Sequence, residues 1–168
     1  GEPAIRFTQQ QDMTLQEISK TLNTPMERVE KAAAGLSQAY GESRKESERL
    51  RKYIATESSP SLLASAENVG RINLVSKVYE GITGVDLVPI ASRVAELSPP
   101  TVVLLASMTD GSVVAIIGQE ALKMGLNAGS IVGEFTGALG GRGGGNDEMG
   151  QGKLRPEELK RMADGLAR

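Results

Sequence analysis

The sequence predicts an α+β protein. An N-terminal helical arm, made of a short helix and a long heptad helix, precedes a compact β-α-β-β-α-α globular subdomain. Three observations lead there. The first third of the chain is polar and carries helix-start signals. The apolar pattern then changes at Ser58-Ser59-Pro60-Ser61. Beyond that point β-branched runs alternate with helical periodicity. The expected division is 1–57 for the arm and 58–168 for the globular part.

In the arm, Thr14-Leu15-Gln16-Glu17 and Thr24-Pro25-Met26-Glu27 both fit the capping-box pattern, and Pro25 suits a first helical position. They predict a helix over 14–22, a tight turn at Asn23-Thr24, and a helix from Pro25 to about Glu57. At ~1.5 Å per residue the second would run roughly 50 Å. Its apolar positions Met26, Val29, Ala33, Leu36, Tyr40, Leu50 and Ile54, with Ser43 and Ser47 between, keep heptad spacing. One reading is a solvated helix packed once against the first. That helix offers only Leu15, Ile18 and Leu22, too little to cover such a stripe. The remainder is therefore expected to meet a second copy or a neighbouring domain, with Val29, Ala33, Leu36, Tyr40, Leu50 and Ile54 as the dimer interface.

In the globular part, "RINLVSKVY" (71–79) predicts a strand and "GVDLVPIASRVAEL" (84–97) an amphipathic helix. "TVVLLAS" (101–107) and "SVVAIIG" (112–118) are β-branched runs joined through Asp110-Gly111, a hairpin signal. "NAGSIVGEFTGAL" (127–139) reads as a helix capped by Asn127, and Pro156 to Ala167 as a closing helix. About 110 residues suffice for one modest core.

Composition narrows the chemistry. The 168 residues contain no cysteine and no histidine, so disulfides, thiolate metal sites and a Ser-His-Asp triad are excluded. Net charge is −2, near neutral in both parts: nine basic and nine acidic residues in 1–57, ten and twelve in 58–168. Any nucleic-acid contact must then come from a local patch. Two Phe, three Tyr and no Trp weaken a base-stacking model of binding. No apolar run approaches a membrane span, no signal peptide is evident, and the absence of an initiator Met suggests part of a longer chain.

The densest signal is "LGGRGGGNDEMGQG" (139–152), half of it glycine. It is read as a connection between two helices. It lacks the strand-loop-helix context of a dinucleotide fingerprint and any following GK[ST], which disfavours a mononucleotide cradle. Two readings remain. In one, the backbone turns repeatedly and needs φ > 0. In the other, a surface free of side chains lets a large partner approach, with Arg142, Lys153 and Arg155 supplying charge against Asp147 and Glu148.

The residues "GLNAGSIVGEFTGALGGRGGGNDEMGQG" (125–152) resemble the C-terminal domain of alanyl-tRNA synthetases: a glycine run (Gly140 to Gly145), a short acidic segment (Asp147 to Met149), then Gln151-Gly152. The hairpin at Asp110-Gly111 and the two-helix arm fit that family more loosely, and "GEPAI" (1–5) looks like the join to an editing domain. Asn146-Asp147-Glu148 stands where many members carry Arg-Pro-Asp. The resemblance implies a cytoplasmic, non-catalytic module that holds a homodimer together and contacts the outer corner of tRNA(Ala), supporting aminoacylation and editing. It implies RNA contact by Arg142, Gly143, Gly144, Gly145, Gln151, Gly152 and Lys153, and no metal or cofactor in this chain. ATP, magnesium and zinc would serve the parent enzyme, whose catalytic and editing domains are further partners; no membrane is involved. The alternatives are the substrate-binding lobe of a DHH-type phosphohydrolase and a pure oligomerisation module.

Overall fold

The computed structural model describes the backbone of residues 1–166 and side chains through Asp164. It divides into two compact units, Gly1–Arg49 and Leu50–Arg168.

The first unit holds helix α1 (Glu2–Thr21), a 3-10 turn (Met26–Arg28) and the start of helix α2 (Val29–Ala64). The first helix thus begins a dozen residues before the expected 14. Thr14 is no cap but an interior residue, its Oγ1 donating to the Gln10 carbonyl. Pro3 stands in the first turn, where a missing N–H costs nothing. The second capping box also fails: Met26–Arg28 is 3-10 and makes no side-chain cap. Asn23, with φ of 47°, makes the turn between the helices. This left-handed conformation is one asparagine tolerates better than most residues.

Helix α2 runs to Ala64, seven residues past the expected end. Ser58-Ser59-Pro60-Ser61 is therefore helical, not a break. The hydroxyls of Ser58 and Ser59 donate to the carbonyls of Ile54 and Ala55 four residues back. Tertiary packing overrides the breaker signal: Ala55, Ser59 and Leu62, at helical spacing, are all buried.

The second unit is built on one six-stranded sheet in the order β1-β2-β3-β4-β6-β5. The α+β class holds, with more strands than expected. Strands β2 (Ile72–Tyr79), β3 (Thr101–Ser107) and β4 (Ser112–Ile117) and helix α3 (Gly84–Leu97) lie where the pattern put them. Three strands were not legible. Strand β1 (Glu67–Val69) is a short exposed edge joined to β2 through Gly70-Arg71. Strands β5 (Arg142–Gly145) and β6 (Met149–Lys153) occupy the stretch expected to be a helix-to-helix connection. A one-turn helix α4 (Gln119–Leu122) was also missed. Helix α5 (Ala128–Ala138) is capped as expected, the Asn127 Oδ1 accepting from the Ser130 N–H at 2.8 Å. Helix α6 spans Pro156–Leu166; the expected last residue, Ala167, lies outside the described residues.

Both faces of the central strands are covered, so there are two cores where one was expected. On one face Val75, Val103, Leu105 and Val114 pack with α3 and the end of α2. On the other Val102, Ala106, Val113 and Ala115 pack with Ala128 and Val132 of α5 and Leu159 of α6. The alternation follows from the pleat, which sends successive side chains to opposite faces. It explains why β3 and β4 read as continuous apolar runs. No helix among the described residues is long and apolar enough to cross a membrane.

Candidate nucleic-acid interface

The glycine-rich stretch is a β-hairpin clamped by the helix that precedes it. Its turn is closed by Asn146, whose Oδ1 accepts from the N–H groups of Glu148 and Met149 at 3.0 and 2.8 Å. The turn carbonyls then cap α5: the Ala128 N–H donates to Asp147 O at 3.0 Å and the Gly129 N–H to Asn146 O at 2.9 Å. The Asn127 side chain reaches Asp147 as well. The start of α5, otherwise suited to an anion, is thus filled by the chain itself. Asn146, which stands where many family members carry a basic residue, takes a structural role here.

The register explains the glycines. In the β5–β6 ladder Arg142 pairs with Lys153, Gly143 with Gly152, Gly144 with Gln151 and Gly145 with Gly150. Gly143 and Gly152 face α5. A Cβ on Gly143 would stand 2.6 Å from Val132 Cγ1 and 2.8 Å from Thr136 Oγ1; on Gly152, 2.7 Å from Thr136 Cγ2. Both Val132 and Thr136 are fully buried. The room those glycines leave is taken by a helix of the same chain, not by a partner. Gly145 lies likewise under α5, its backbone 2.7 Å from where a Cβ on Gly129 would be. Close approach, more than positive φ, is what the composition serves.

The other face of the hairpin is open. Helix α3 packs on β3 and β4. A Cβ on Gly144 would meet nothing within 4 Å. Around it stand the exposed Arg142, Gln151 and Lys153. The Lys153 ammonium is engaged: Nζ donates to Asp110 Oδ2 at 3.1 Å and to Ser112 Oγ at 2.9 Å. Arg142 makes no hydrogen bond or ion pair with any described side chain. Of the expected RNA-contacting residues, then, Arg142, Gly144, Gln151 and Lys153 share an open face, while Gly143, Gly145 and Gly152 serve α5.

Asp110 and Ser112 were missed by sequence reasoning. Asp110 was noticed only as part of an Asp-Gly turn. Its carboxylate also accepts from the Ser112 N–H at 3.1 Å, the Ser112 hydroxyl at 2.8 Å and, more loosely, the Gly84 N–H at 3.4 Å. Burial pushes its pKa up. Hydrogen bonds from Ser112 and Lys153, with backbone donors, outweigh that and hold it well below the usual carboxylate range. A second such site lies at the start of α3. There Asp86 accepts from Thr83 N at 2.9 Å and from Arg51 Nε at 2.9 Å.

The proposed dimer residues lie along α2 and around its start. Val29 is only 8% exposed, so it is covered within its own chain. Ala33 is exposed, as are Leu36 at 59%, Tyr40 at 66%, Leu50 at 48% and Ile54 at 44%. Helix α1 has no buried residue, and Leu15 and Ile18, expected to be covered, remain 42% and 39% exposed.

A six-stranded sheet with a helix-clamped glycine hairpin at its edge defines the class. The DHHA1 domain model matches residues 72–167, and the chain belongs to that family. Within it, the chain is similar to alanine–tRNA ligases. It is 32% identical over 167 residues to that of Alkaliphilus oremlandii, covering 98% of this chain and 19% of the ligase. It is 30% identical over 169 residues to that of Methanosarcina acetivorans, covering 100% and 18%. Among solved structures it is similar to the C-Ala domain of Aquifex aeolicus alanyl-tRNA synthetase, with a TM-score of 0.50 and 26% identity, over 60% of this chain and 96% of that domain. The resemblance drawn from residues 125–152 thus extends over nearly the whole chain, which spans about a fifth of the length of these ligases.

Proposed function

We propose that this chain is the non-catalytic C-terminal module of an alanine–tRNA ligase. It pairs two copies of the parent protein and binds the outer corner of tRNA(Ala), supporting aminoacylation and editing in the cytoplasm. The observation that carries the RNA half is the open hairpin face: a glycine with nothing over it, flanked by Arg142, Gln151 and Lys153. A backbone without side chains at Gly144 allows a bulky polyanion to lie flush, with positive charge beside it directed at phosphates rather than base edges. Recognition of that kind reads RNA shape. The dimer half rests on the uncovered α2 residues, above all Leu36 and Tyr40. Histidine and cysteine are absent from the chain, in keeping with a module that leaves chemistry to the parent's other domains.

The test uses Gly144→Val, which adds bulk where nothing in the chain is displaced. Titrating tRNA(Ala) with both proteins should show a clear loss of affinity in the variant at unchanged melting temperature. Equal affinities would remove RNA from this face and leave the pure oligomerisation module. Light scattering decides the other half: the expected mass is twice 17.7 kDa, and a mass of 17.7 kDa would end the dimer reading.

A further inference from the structure

The two cations on the open hairpin face are not equivalent. They are cross-strand partners, Arg142 on β5 and Lys153 on β6, and from sequence they look interchangeable. In the structure Lys153 is held at 3.1 Å by Asp110 and at 2.9 Å by Ser112, which itself donates to Asp110. The Asp110 carboxylate is fixed by the Ser112 N–H, so it does not swing away when Lys153 is drawn elsewhere. An anion approaching Lys153 must therefore approach Asp110 too.

We infer that Arg142 is the hairpin cation that engages an anionic partner, and that Asp110 is a positioning residue that keeps Lys153 electrically silent within the chain. The inference deepens the RNA reading, on which it rests for the identity of the natural partner.

Two physical points support it. A polyanion gains affinity when a protein cation replaces condensed counterions, and the salt slope counts such replacements. Lys153 with Asp110 at 3.1 Å has no net charge to offer, so its contact should release almost none. Arg142 has no such neighbour among the described residues, and its planar fork suits a phosphate oxygen pair. The depressed pKa of Asp110 keeps the carboxylate charged throughout the neutral range, so the cancellation persists there.

The experiment compares the unmutated chain with Arg142→Ala, Lys153→Ala, Asp110→Asn and the double variant Asp110→Asn/Lys153→Ala, each checked by thermal melting. One readout is the slope of log affinity for tRNA(Ala) against log salt. The other is the salt needed to elute each protein from heparin, which does not depend on the RNA being the right one. Arg142→Ala should lower the slope by about 0.7–0.9 and elute earlier. Asp110→Asn/Lys153→Ala, which removes the neutral pair together, should leave both unchanged, whereas Lys153→Ala alone bares the Asp110 carboxylate and should also elute earlier. Asp110→Asn should raise the slope and elute later, because it frees Lys153 while an amide oxygen still accepts from Ser112. A loss in Asp110→Asn/Lys153→Ala equal to that in Arg142→Ala, or no gain in Asp110→Asn, would overturn the inference. The expected heparin order without binding of tRNA(Ala) would uphold it and overturn the RNA reading instead. Should Asp110→Asn prove less stable, the double variant Asp110→Asn/Lys153→Ala decides: it should return to the elution of the unmutated chain, and any other position counts against the inference.

Discussion

The hairpin of β5 and β6 and the helices of the first unit are opposites in how their composition relates to packing. In the hairpin, residues with no side chain sit where no side chain fits: Val132 and Thr136 fill the space over Gly143 and Gly152. In the first unit, large apolar residues stay exposed: Phe7 and Met13 are 64% and 65% exposed, and Leu36 and Tyr40 about as much. The glycine-rich stretch looks like a binding loop and is mostly architecture. The heptad helix looks like architecture and carries the uncovered surface. Composition alone shows what a segment contains and not what lies against it; only the shortness of the first helix's apolar set hinted that the heptad stripe would stay uncovered.

That contrast can be broken most forcefully at Gly143. Gly143→Val should destabilise the second unit by about 1–3 kcal/mol or more, the range for overpacking a filled site. For a domain of this size the melting temperature would fall by roughly 10 °C. A variant that melts with the unmutated chain would mean that α5 yields easily and that the clamp is loose.

At the other pole stands Leu36→Glu. The residue is exposed within its own chain, so the folded monomer should lose no more than about 0.5 kcal/mol, as for ordinary surface changes. In a dimer the same carboxylate would be desolvated against an apolar partner, costing several times that. Light scattering should then show the mass halved with circular dichroism unchanged. An unchanged mass would place the subunit contact elsewhere than this stripe.

A smaller effect is expected from acid. A carboxyl held below its unfolded pKa stabilises the fold above that unfolded value, and the contribution is lost as pH falls through the folded one. For Asp110 the loss should begin below about pH 4, where the free side chain protonates. The unmutated chain should lose stability down that range more steeply than Asp110→Asn, measured by denaturant unfolding at successive pH values. Parallel curves would show that the Asp110 cluster contributes nothing to the hairpin's seat.

The least effect on stability belongs to Gly144→Val, within about 0.5 kcal/mol, since the added atoms enter open space on a strand. Set beside Gly143→Val, one position away, it sharpens the comparison to a single step of the pleat. A large destabilisation at Gly144 would mean that the outer face is as crowded as the inner.

How much was legible follows from which forces act locally. Helix α3, strands β3 and β4 and the Asn127 cap were found because β-branched runs, helical periodicity and a capping asparagine are short-range signals. The family could be read from residues 125–152 for a related reason: a close-packed backbone tolerates few substitutions for glycine, so the pattern is distinctive even when its cause is hidden. Helix α2 was carried past Pro60 because Ala55 and Leu62 are buried in a core with strand and α3 residues from later in the chain. That gain outweighs a local breaker.

The amino-acid sequence by itself determined the α+β class, the central strands and their flanking helices, the chemistry excluded by the missing histidine and cysteine, and the family. Tertiary structure alone decided that the glycine stretch is a pair of strands, for glycine has no strand propensity and only the closeness of α5 makes the ladder. It alone separated Gly144 from Gly143, and Lys153 from Arg142. The first distinction depends on which side of the pleat faces a helix. The second depends on a carboxylate 43 residues away in sequence, brought to 3.1 Å by the pairing of β4 with β6. Neither has any trace in local composition, because the interactions that create them join segments the chain keeps far apart.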